Sequence, residues 1–439
     1  MYTRQSRKPN TRFNAKAPAP KKAAANAAPK DTVQIPRRVP TFEDLKQQLT
    51  SWATNEKIPG KIQAWFTKEI LPENCDWKFV TKKAANSDTL ILEAPAKDME
   101  APEVVTRIEE QLKKEHLRVF RKAIRQVWFR ATGDGRFALL VQTDCYGKKS
   151  VHEFKTFADF LQRSCPEIIS CHQVQCQPDK LFDPAYRQTV RTDLKCHFGN
   201  DFIPLAGTGF RMHILDWAPR MKDVWLSLPG RIKDALHPSA EDKFFEFYSG
   251  CSFVSASLAG LFAQTEALDC RESAMLSTRQ NTRNLAGGSL KFHREQLDAN
   301  FFLKFFSKSA NDGRWTFYFN LPSGEGFPSG AEQAIAAARP ERILLQAPDL
   351  ETAAKEIKHF RREGYILRKS VPLYLEPGTG KFDLLVLFVP DRAGLLGQNP
   401  ALRRAKGSVM KPKERISREK NANIPHFVQS RPTFKQRKD

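Results

Sequence analysis

Four residues, Glu246, Gly250, Ser252 and Asp269, lie in a segment whose pattern indicates binding of a nucleotide-like cofactor. The segment 244–283 reads as a strand, a turn of small residues, an apolar helix and a second strand that ends in an acid. In an open α/β sheet, small residues in such a turn let the backbone approach a ligand, and the acid can hold ribose hydroxyls. Because the glycine pattern is incomplete, an ordinary βαβ unit is the alternative interpretation.

A second group of residues has side chains that can ligate metals. Six cysteines and histidines fall within 33 residues: Cys165, Cys171, His172, Cys176, Cys196 and His197. Soft ligands at this density could hold zinc, but the group contains no Cys-x2-Cys pair. We therefore expect no metal site.

Periodicity and capping signals predict the elements that precede these residues and position them. The predicted elements are a helix capped at Thr41 and ending near Ala53, a helical piece near 61–70, a strand at 89–93, a helix at 103–122, a hairpin at 126–143 and a helix at 154–161. The hairpin turns at Gly133-Asp134-Gly135.

Three segments in the second half of the chain resemble, in the same order, segments of the S-adenosylmethionine-dependent RNA uracil-5-methyltransferases. The string EFYSGCSFVSASLA, beginning at Glu246, resembles that family's DLYCGxGTFSLPLA. Residues 342–357 (RILLQAPDLETAAKEI) resemble RIVYVSCNPATLARDL, and residues 372–388 (PLYLEPGTGKFDLLVLF) resemble PVDMFPQTAHVETVALL. The resemblance covers roughly 208–390.

The resemblance implies an α/β fold. A Rossmann-like class I methyltransferase domain with a seven-stranded sheet is expected over residues 206–390, preceded by a smaller α+β domain over residues 41–205. The segments 1–40 and 391–439 contain few large apolar residues and many charges, so we expect them to be disordered basic tails.

The chemistry implied by the resemblance is covalent. In that family a cysteine thiolate adds to C6 of uracil, the resulting enolate attacks the methyl group, and a carboxylate removes the C5 proton before elimination. The position of that cysteine falls on Pro348, and no cysteine follows Cys270. The position of the general base falls on Asp383, which keeps a carboxylate. Cys251 and Cys270 are expected on the cofactor's wall of the pocket, where neither is placed to replace the missing nucleophile.

Three further positions depart from the family's pattern. Its glutamine falls on Pro219, the aspartate of its DPPRxG segment on Asn320, and the arginine of that segment on Ser323. Because the nucleophile position has changed as well, the chain is interpreted as a divergent member that has lost uracil methylation.

For the cofactor, the resemblance implies S-adenosylmethionine. The residues that would bind it are Glu246, Gly250, Ser252, Asp269 and Asn320. Ser252 replaces a glycine of the family and adds bulk where the backbone would meet the methionine moiety.

Most of the net charge lies near the two ends of the chain. Residues 1–40 carry ten Lys/Arg against one Asp, and residues 391–439 carry thirteen against four acids, a net charge of +9 each out of the formal +22. Basic segments of this kind bind polyphosphate through counterion release. We expect an RNA partner, rRNA or tRNA, with the ribosome as a further candidate. A solubility tag or an anionic-membrane anchor would have similar charge, but neither segment is amphipathic.

The composition also indicates the cellular compartment in which we expect the protein. No run of eighteen apolar residues is present, so no membrane span is expected. Eight scattered cysteines favour a reducing compartment. We expect a cytoplasmic monomer. A mitochondrial presequence is the alternative, because residues 1–40 contain one acid, although four prolines interrupt any amphipathic helix there.

Two functions from different classes follow. The first is an RNA-binding protein with an RNA (uracil-5-)methyltransferase-like fold that is catalytically degenerate and serves as an assembly or scaffold factor. The second is an active S-adenosylmethionine-dependent methyltransferase that acts on rRNA or tRNA with altered chemistry. A small-molecule methyltransferase is a third interpretation, in which the basic segments would have no role.

Overall fold

The structure, a computed structural model, describes most of the chain between residues 39 and 392. The described residues are 39–83, 88–96, 98–144, 148–175, 181–182, 194–283, 285, 290–309, 314–324 and 326–392. The predicted tails, 1–40 and 391–439, lie outside these residues except at 39, 40, 391 and 392, so their disorder stays a prediction. The chain divides into two compact units, Met1–Val39 and Pro40–Asp439, and the description below concerns the second.

The first helix, α1 (Phe42–Asn55), begins at the predicted capping box. The Thr41 hydroxyl accepts the Asp44 N–H (3.2 Å), and the Asp44 carboxylate accepts the Thr41 N–H (2.7 Å). The apolar face of α1, with Leu45 and Leu49, packs into the same core as Phe247. The helix is therefore anchored on residues from the second half of the chain, and the boundary at residues 205 and 206 stays a prediction.

The predicted helix at 61–70 was wrong. A short 3-10 turn, Pro59–Lys61, is followed by extended chain, in which the N–H groups of Gln63 and Phe66 donate to the carbonyls of Ser370 and Pro372 (2.9 and 2.8 Å). Pairing with a distant strand satisfies the backbone here and overrides the local helical pattern.

A six-stranded sheet occupies the first half of the described chain, in the order β2-β1-β3-β4-β5-β6. Its strands are β1 (Trp77–Lys83), β2 (Asp88–Glu93), β3 (Ile124–Ala131), β4 (Phe137–Thr143), β5 (Ile168–Val174) and β6 (Leu194–Phe198). Only the β4–β5 pair in this sheet is parallel. The predicted strand at 89–93 and the predicted hairpin are confirmed.

In the described part of the chain, three helices pack with this sheet: α2 (Glu103–Lys113), α3 (Arg118–Ala123) and α4 (Lys148–Ser164). A 3-10 turn at Glu115–Leu117 separates α2 from α3, so the single helix predicted over 103–122 is two shorter ones. Strand β3 sends Val127, Phe129 and Ala131 into the helix-covered core. Trp128 and Arg130 alternate with them and lie on the opposite face of the strand.

A two-stranded hairpin and one helix connect the two large sheets. The hairpin consists of β7 (Phe202–Pro204) and β8 (Arg211–His213), and the helix is α5 (Lys222–Leu236). Pro229 lies inside α5, and the helix ends at His237 in the left-handed conformation (φ +47°).

The second large sheet has seven strands in the order β11-β10-β9-β12-β13-β15-β14. They are β9 (Asp242–Phe247), β10 (Gln264–Asp269), β11 (Leu290–Arg294), β12 (Arg314–Asn320), β13 (Arg342–Ala347), β14 (Tyr365–Leu373) and β15 (Asp383–Pro390). Strand β15 runs antiparallel to both neighbours, and the other pairs are parallel. The predicted seven-stranded, Rossmann-like α/β fold is confirmed.

Helices cover both faces of this sheet. They are α6 (Phe253–Leu258), α7 (Glu272–Thr282), α8 (Ala299–Ser309), α9 (Ala331–Ala337) and α10 (Leu350–Arg362). Strand β9 is buried on both sides: Phe247 stacks on Phe319 (ring centroids 4.5 Å apart) in one core, and Phe244 stacks on Phe262 (4.9 Å) in the other. Parallel strands covered on both faces have this near-continuous apolar character. None of the helices in the described part of the chain has the length and apolarity to cross a bilayer.

Candidate functional site

A cavity of about 400 Å³ opens at the carboxyl ends of the central strands of the seven-stranded sheet. Its lining includes Glu246, Gly250, Asn320, Pro348 and Asp383. This is the edge at which open α/β sheets bind ligands. The structure therefore brings the predicted catalytic position and three of the five predicted cofactor-binding residues into one cavity.

Ser252 lies in the turn after β9 but does not line the cavity. It takes the left-handed conformation (φ +55°) and is completely buried. Its hydroxyl is within hydrogen-bonding distance of Thr278 Oγ1 (2.7 Å) and Ser249 Oγ (3.2 Å). The added bulk of this serine is thus accommodated against α7, and its polar group is satisfied inside the protein.

Asp269 is also separated from the cavity, because Arg271 lies on the cavity side of it. Its Oδ1 accepts the Arg271 backbone N–H (2.9 Å) and the Arg271 Nε–H (3.0 Å). Its Oδ2 accepts the Gly250 N–H (2.9 Å) and the Arg271 Nη2–H (3.1 Å). Each carboxylate oxygen has two good acceptor positions, so all four positions of Asp269 are occupied.

Arg271 itself was missed by sequence reasoning. It is 2% exposed, it lines the cavity, and its Nη1 has no hydrogen-bond partner among the described residues. Burial lowers the pKa of the guanidinium, but the charge and hydrogen bonds of Asp269 together with the charge of Asp216 outweigh it, and the pKa is raised above its ordinary value. The only sequence signal was a cation two residues after the acid that ends β10.

Glu246 lines the cavity from the end of β9, and helix α6 holds it. Its Oε2 accepts the Ser255 N–H (2.8 Å) and the Ser255 hydroxyl. Burial raises the pKa of Glu246 from its ordinary 4.5 to about 7, and the two hydrogen bonds from Ser255 oppose that rise. Near neutral pH this carboxyl group therefore binds a proton more readily in the folded protein than in the unfolded chain.

This shift predicts a pH dependence of stability. Because the pKa is raised on folding, the stabilisation is fully present below pH 4.5 and is lost as pH rises through about 7. Between pH 4.5 and about 7, the unfolding free energy of the Glu246→Gln variant should fall less steeply with pH than that of the unaltered protein. The two slopes should differ by at most about 1.4 kcal/mol per pH unit. Urea titrations at a series of pH values measure this. Glu43→Gln is the control, because Glu43 is 72% exposed. Parallel curves for Glu246→Gln and the unaltered protein would contradict the expectation.

On the far side of the cavity, Asp383 is part of a hydrogen-bonded chain. The Tyr318 hydroxyl donates to Gln346 Oε1 (2.6 Å), and Gln346 Nε2 donates to Asp383 Oδ2 (2.6 Å). Burial raises the pKa of Asp383 to about 6, opposed by the hydrogen bond from Gln346. Asp383 could therefore accept a proton from a ligand near neutral pH.

Among the described residues, Cys251 is the one cysteine that lines the cavity. It is 2% exposed, and burial strongly raises the pKa of its thiol. A thiol of this kind stays protonated at neutral pH and is a poor nucleophile. Cys270 is buried outside the cavity lining.

A wall of aromatic and cationic side chains faces the strand ends, and sequence reasoning missed it. The Arg130 guanidinium lies 4.6 Å from the Phe182 ring centre, and the Arg220 guanidinium lies 5.9 Å from the Trp128 ring centre. All four side chains line the cavity. The alternation of β3, which points Trp128 and Arg130 away from the apolar core, is the signal that could have found half of this wall.

A buried charge cluster holds Arg130 in place. Its Nε donates to Asp76 Oδ2 (3.1 Å), and Lys222 Nζ lies 2.7 Å from the same oxygen. Arg130 also donates to the backbone carbonyls of Ile214 (2.9 Å) and Asp216 (2.8 Å). These contacts engage all three nitrogens of the guanidinium group and hold the side chain at the cavity wall.

No family model and no curated protein sequence matches the chain. Solved structures do. The tRNA (uracil-54, C5)-methyltransferase of Pyrococcus abyssi, in complex with S-adenosyl-L-homocysteine, matches with a TM-score of 0.56 and 14% identity, over 79% of this chain and 83% of that one. The tRNA m1G37 methyltransferase of M. jannaschii matches with a TM-score of 0.36 and 11% identity, over 79% of this chain and 96% of that one, too low a TM-score to support an argument. At 14% identity the first match shows the fold alone, and that fold is methyltransferase-like.

Proposed function

We propose that the chain is an RNA-binding protein that uses a methyltransferase-like fold but does not carry out uracil C5 methylation. The observation that carries this proposal is the presence of Pro348 in the same cavity as Asp383. The general base and the nucleophile of a covalent methyl transfer must both reach the target base, and proline offers no nucleophilic atom.

The residues present do not fit S-adenosylmethionine in the way the resemblance implied. A ribose would need free acceptor positions on the acid that ends β10, but Gly250 and Arg271 occupy all four positions of Asp269. Hydrogen bonds to a charged group are the strong ones in a binding site, so their loss weakens affinity considerably. We propose that the chain does not bind S-adenosylmethionine with micromolar affinity.

The cavity wall supports RNA as the ligand. Trp128 and Phe182 are partly exposed aromatic rings, and Arg130 and Arg220 lie against them. Nucleobases stack on such rings with little sequence preference, and a guanidinium group beside the ring adds a cation–π contact. An unpaired nucleotide of rRNA or tRNA is therefore the ligand that this wall suits best.

A methyltransferase with altered chemistry is the second candidate, and Asp383 is the observation that favours it. A buried carboxylate with a pKa near 6, fixed by Gln346, is suited to accepting a proton from a bound nucleotide. Transfer of a labelled methyl group from S-adenosylmethionine to RNA would identify this function, and a bound but unmodified RNA would exclude it.

The two basic tails are expected to supply most of the affinity for nonspecific RNA. A plot of the logarithm of the RNA association constant against the logarithm of the salt concentration has a negative slope. Deleting residues 1–38 and 393–439 should make that slope less negative by several units, because each phosphate contact contributes about 0.7 to it for single strands. Fluorescence anisotropy with single-stranded RNA between about 50 and 200 mM salt measures this slope. Full-length chains with the tail Lys and Arg changed to Gln are the matched control and should behave like the deletion. An unchanged slope would place the RNA contacts on residues 39–392.

A further inference from the structure

Three side chains with metal-binding atoms meet at the edge of the six-stranded sheet, and none of the three lines the cavity. His172, Cys196 and Asp201 each offer one ligand atom, and these atoms lie within 4.8 Å of one another. We call these three residues the edge cluster. Two of its members belong to the group of cysteines and histidines singled out in the sequence, whereas Asp201 does not.

The backbone builds the edge cluster in two steps. His172 on β5 and Cys196 on β6 are directly opposed in the antiparallel pairing, so their side chains emerge on the same face of the sheet. The chain then turns back through Gly199 and returns Asp201 over β5, where the Asp201 carbonyl accepts the Ile214 N–H (2.8 Å).

Gly199 makes this turn possible. It has φ +83°, and a Cβ at this position would lie 2.4 Å from the Ile169 carbonyl oxygen and 2.4 Å from Ser170 Cβ. Any other residue would push the turn away from β5, because real Cβ atoms do not approach backbone oxygen so closely. The placement of Asp201 beside His172 is therefore a consequence of a glycine-only close contact.

The side chains of the edge cluster make few contacts that a metal ion would have to replace. His172 is completely buried and presents its Nε2 to the cluster, 2.9 Å from Asp201 Oδ1. The exposed Cys196 has its Sγ 3.4 Å from the Phe198 carbonyl oxygen. The cluster thus contains a fixed imidazole, a carboxylate already beside it, and a thiol that can turn toward both.

We propose that the edge cluster binds a single Zn²⁺ ion through His172, Cys196 and Asp201. One nitrogen, one sulfur and one oxygen ligand form a donor set that suits this borderline-soft cation better than Mg²⁺ or Ca²⁺. Zinc bonds are about 2.0–2.3 Å long, so two ligands on one ion lie roughly 3–3.7 Å apart, and small side-chain rotations bring the three atoms to that spacing.

Binding would tie strand β6 and the turn that follows it to β5. Among the described strands, β6 is the last of its sheet and pairs only with β5, and edge strands are the least constrained part of a sheet. Three protein ligands leave the fourth tetrahedral position to water. From the sequence we expected no metal site, and here we propose one. The proposed zinc site does not depend on the function proposed for the cavity.

The test uses the untagged full-length protein, incubated with zinc, passed through a desalting column and analysed for bound metal by mass spectrometry. We expect about one zinc ion per chain. Cys196→Ser and Asp201→Asn should each weaken zinc affinity by more than about tenfold in competition with a chromogenic chelator. Cys165→Ser is the matched control and should bind zinc normally, because Cys165 is a buried cysteine outside the edge cluster.

A second readout reports the ligand atoms directly. With Co²⁺ in place of zinc, the unaltered protein should show the near-ultraviolet absorption of a thiolate-to-cobalt charge transfer, and Cys196→Ser should abolish it. Cys196 is exposed and Asp201 is half-buried, so both variants should fold, and circular dichroism checks this. The proposal would be overturned if the Cys196→Ser, Asp201→Asn double variant bound zinc as well as the unaltered protein does, or if the unaltered protein with Co²⁺ showed no thiolate absorption. The edge cluster would then be only a hydrogen-bonded His–Asp pair.

Discussion

Replacing Arg271 by alanine is expected to strengthen binding of S-adenosylmethionine by at least about tenfold. In the unaltered protein, three of the four hydrogen bonds that Asp269 accepts come from Arg271, two of them from its side chain. The Arg271→Ala variant frees those two acceptor positions and empties the volume next to Gly250, where Arg271 Nη2 lies 3.4 Å from an added Cβ. A ribose hydroxyl can then reach the carboxylate, and a hydrogen bond to a charged group contributes about 1.5–3 kcal/mol.

The same substitution has a cost in stability. Removing one partner of a buried ion pair leaves an uncompensated charge, so we expect Arg271→Ala to lower the unfolding free energy by about 3 kcal/mol. Calorimetric titrations should therefore be run well below the melting temperature of the variant, with folding checked by circular dichroism.

Arg220→Ala is the matched control for this experiment. Arg220 also lines the cavity, but it pairs with Glu376 and makes no hydrogen bond to Asp269 in the described structure. We expect this variant to bind S-adenosylmethionine as weakly as the unaltered protein. Micromolar affinity in the unaltered protein, or a folded Arg271→Ala variant with no gain, would show that Arg271 does not control this site.

Local signals in the sequence were sufficient for much of the fold. The Thr41–Asp44 capping box starts α1 where predicted, and the glycines at 133 and 135 turn the β3–β4 hairpin as predicted. The number of strands in the second sheet followed from the family resemblance, whereas the order of small turn, helix and strand after Phe244 predicted the βαβ unit within it. These signals act within a few residues of one another, so no knowledge of distant contacts is needed to interpret them.

Distant contacts account for the errors. Residues 61–70 have a helical pattern, yet Gln63 and Phe66 pair with β14, some three hundred residues later. Spacing along the chain contains no information about that strand. The same limit applies to the break between α2 and α3, where a 3-10 turn interrupts a continuous apolar periodicity.

The candidate site was predictable in its location but not in its detail. Glu246, Gly250, Asn320 and Asp383 line one cavity because the carboxyl ends of the parallel strands and the first residue of antiparallel β15 meet at one edge of the sheet. Whether Asp269 is free to bind a ligand depends on the conformation of Arg271, which tertiary packing decides. Half of the aromatic and cationic wall, Trp128 and Arg130, comes from a strand of the other sheet, so only the three-dimensional structure brings it to the cavity.

No covalent complex is expected between this protein and RNA that contains 5-fluorouridine, even with S-adenosylmethionine present. Fluorine at C5 cannot leave as a cation, so an enzyme that adds a thiolate to C6 and methylates C5 stays bonded to the analogue. That trap needs a thiolate facing the base. Here the position implied by the resemblance is Pro348, and burial keeps Cys251 protonated by raising the pKa of its thiol.

Restoring the cysteine alone should not create the activity. In the Pro348→Cys variant, Asn320, Ser323 and Pro219 still line the cavity in place of the aspartate, arginine and glutamine that the resemblance implies. Without them the uracil is not held with its C6 atom against the thiolate, and misplacement by about 1 Å lowers such a rate by about 100-fold. Methylation of RNA by Pro348→Cys at a readily measurable rate would show that these three positions are not needed.

The most direct measurement is a denaturing gel of the unaltered protein after incubation with 5-fluorouridine RNA and S-adenosylmethionine, beside a native gel of the same mixture. We expect a shifted complex on the native gel and no shifted band under denaturing conditions, as for a protein that binds RNA without bonding to it. A denaturation-stable adduct that disappears in Cys251→Ala would show that another thiol performs the covalent step. The proposal that this chain has lost uracil methylation would then be contradicted.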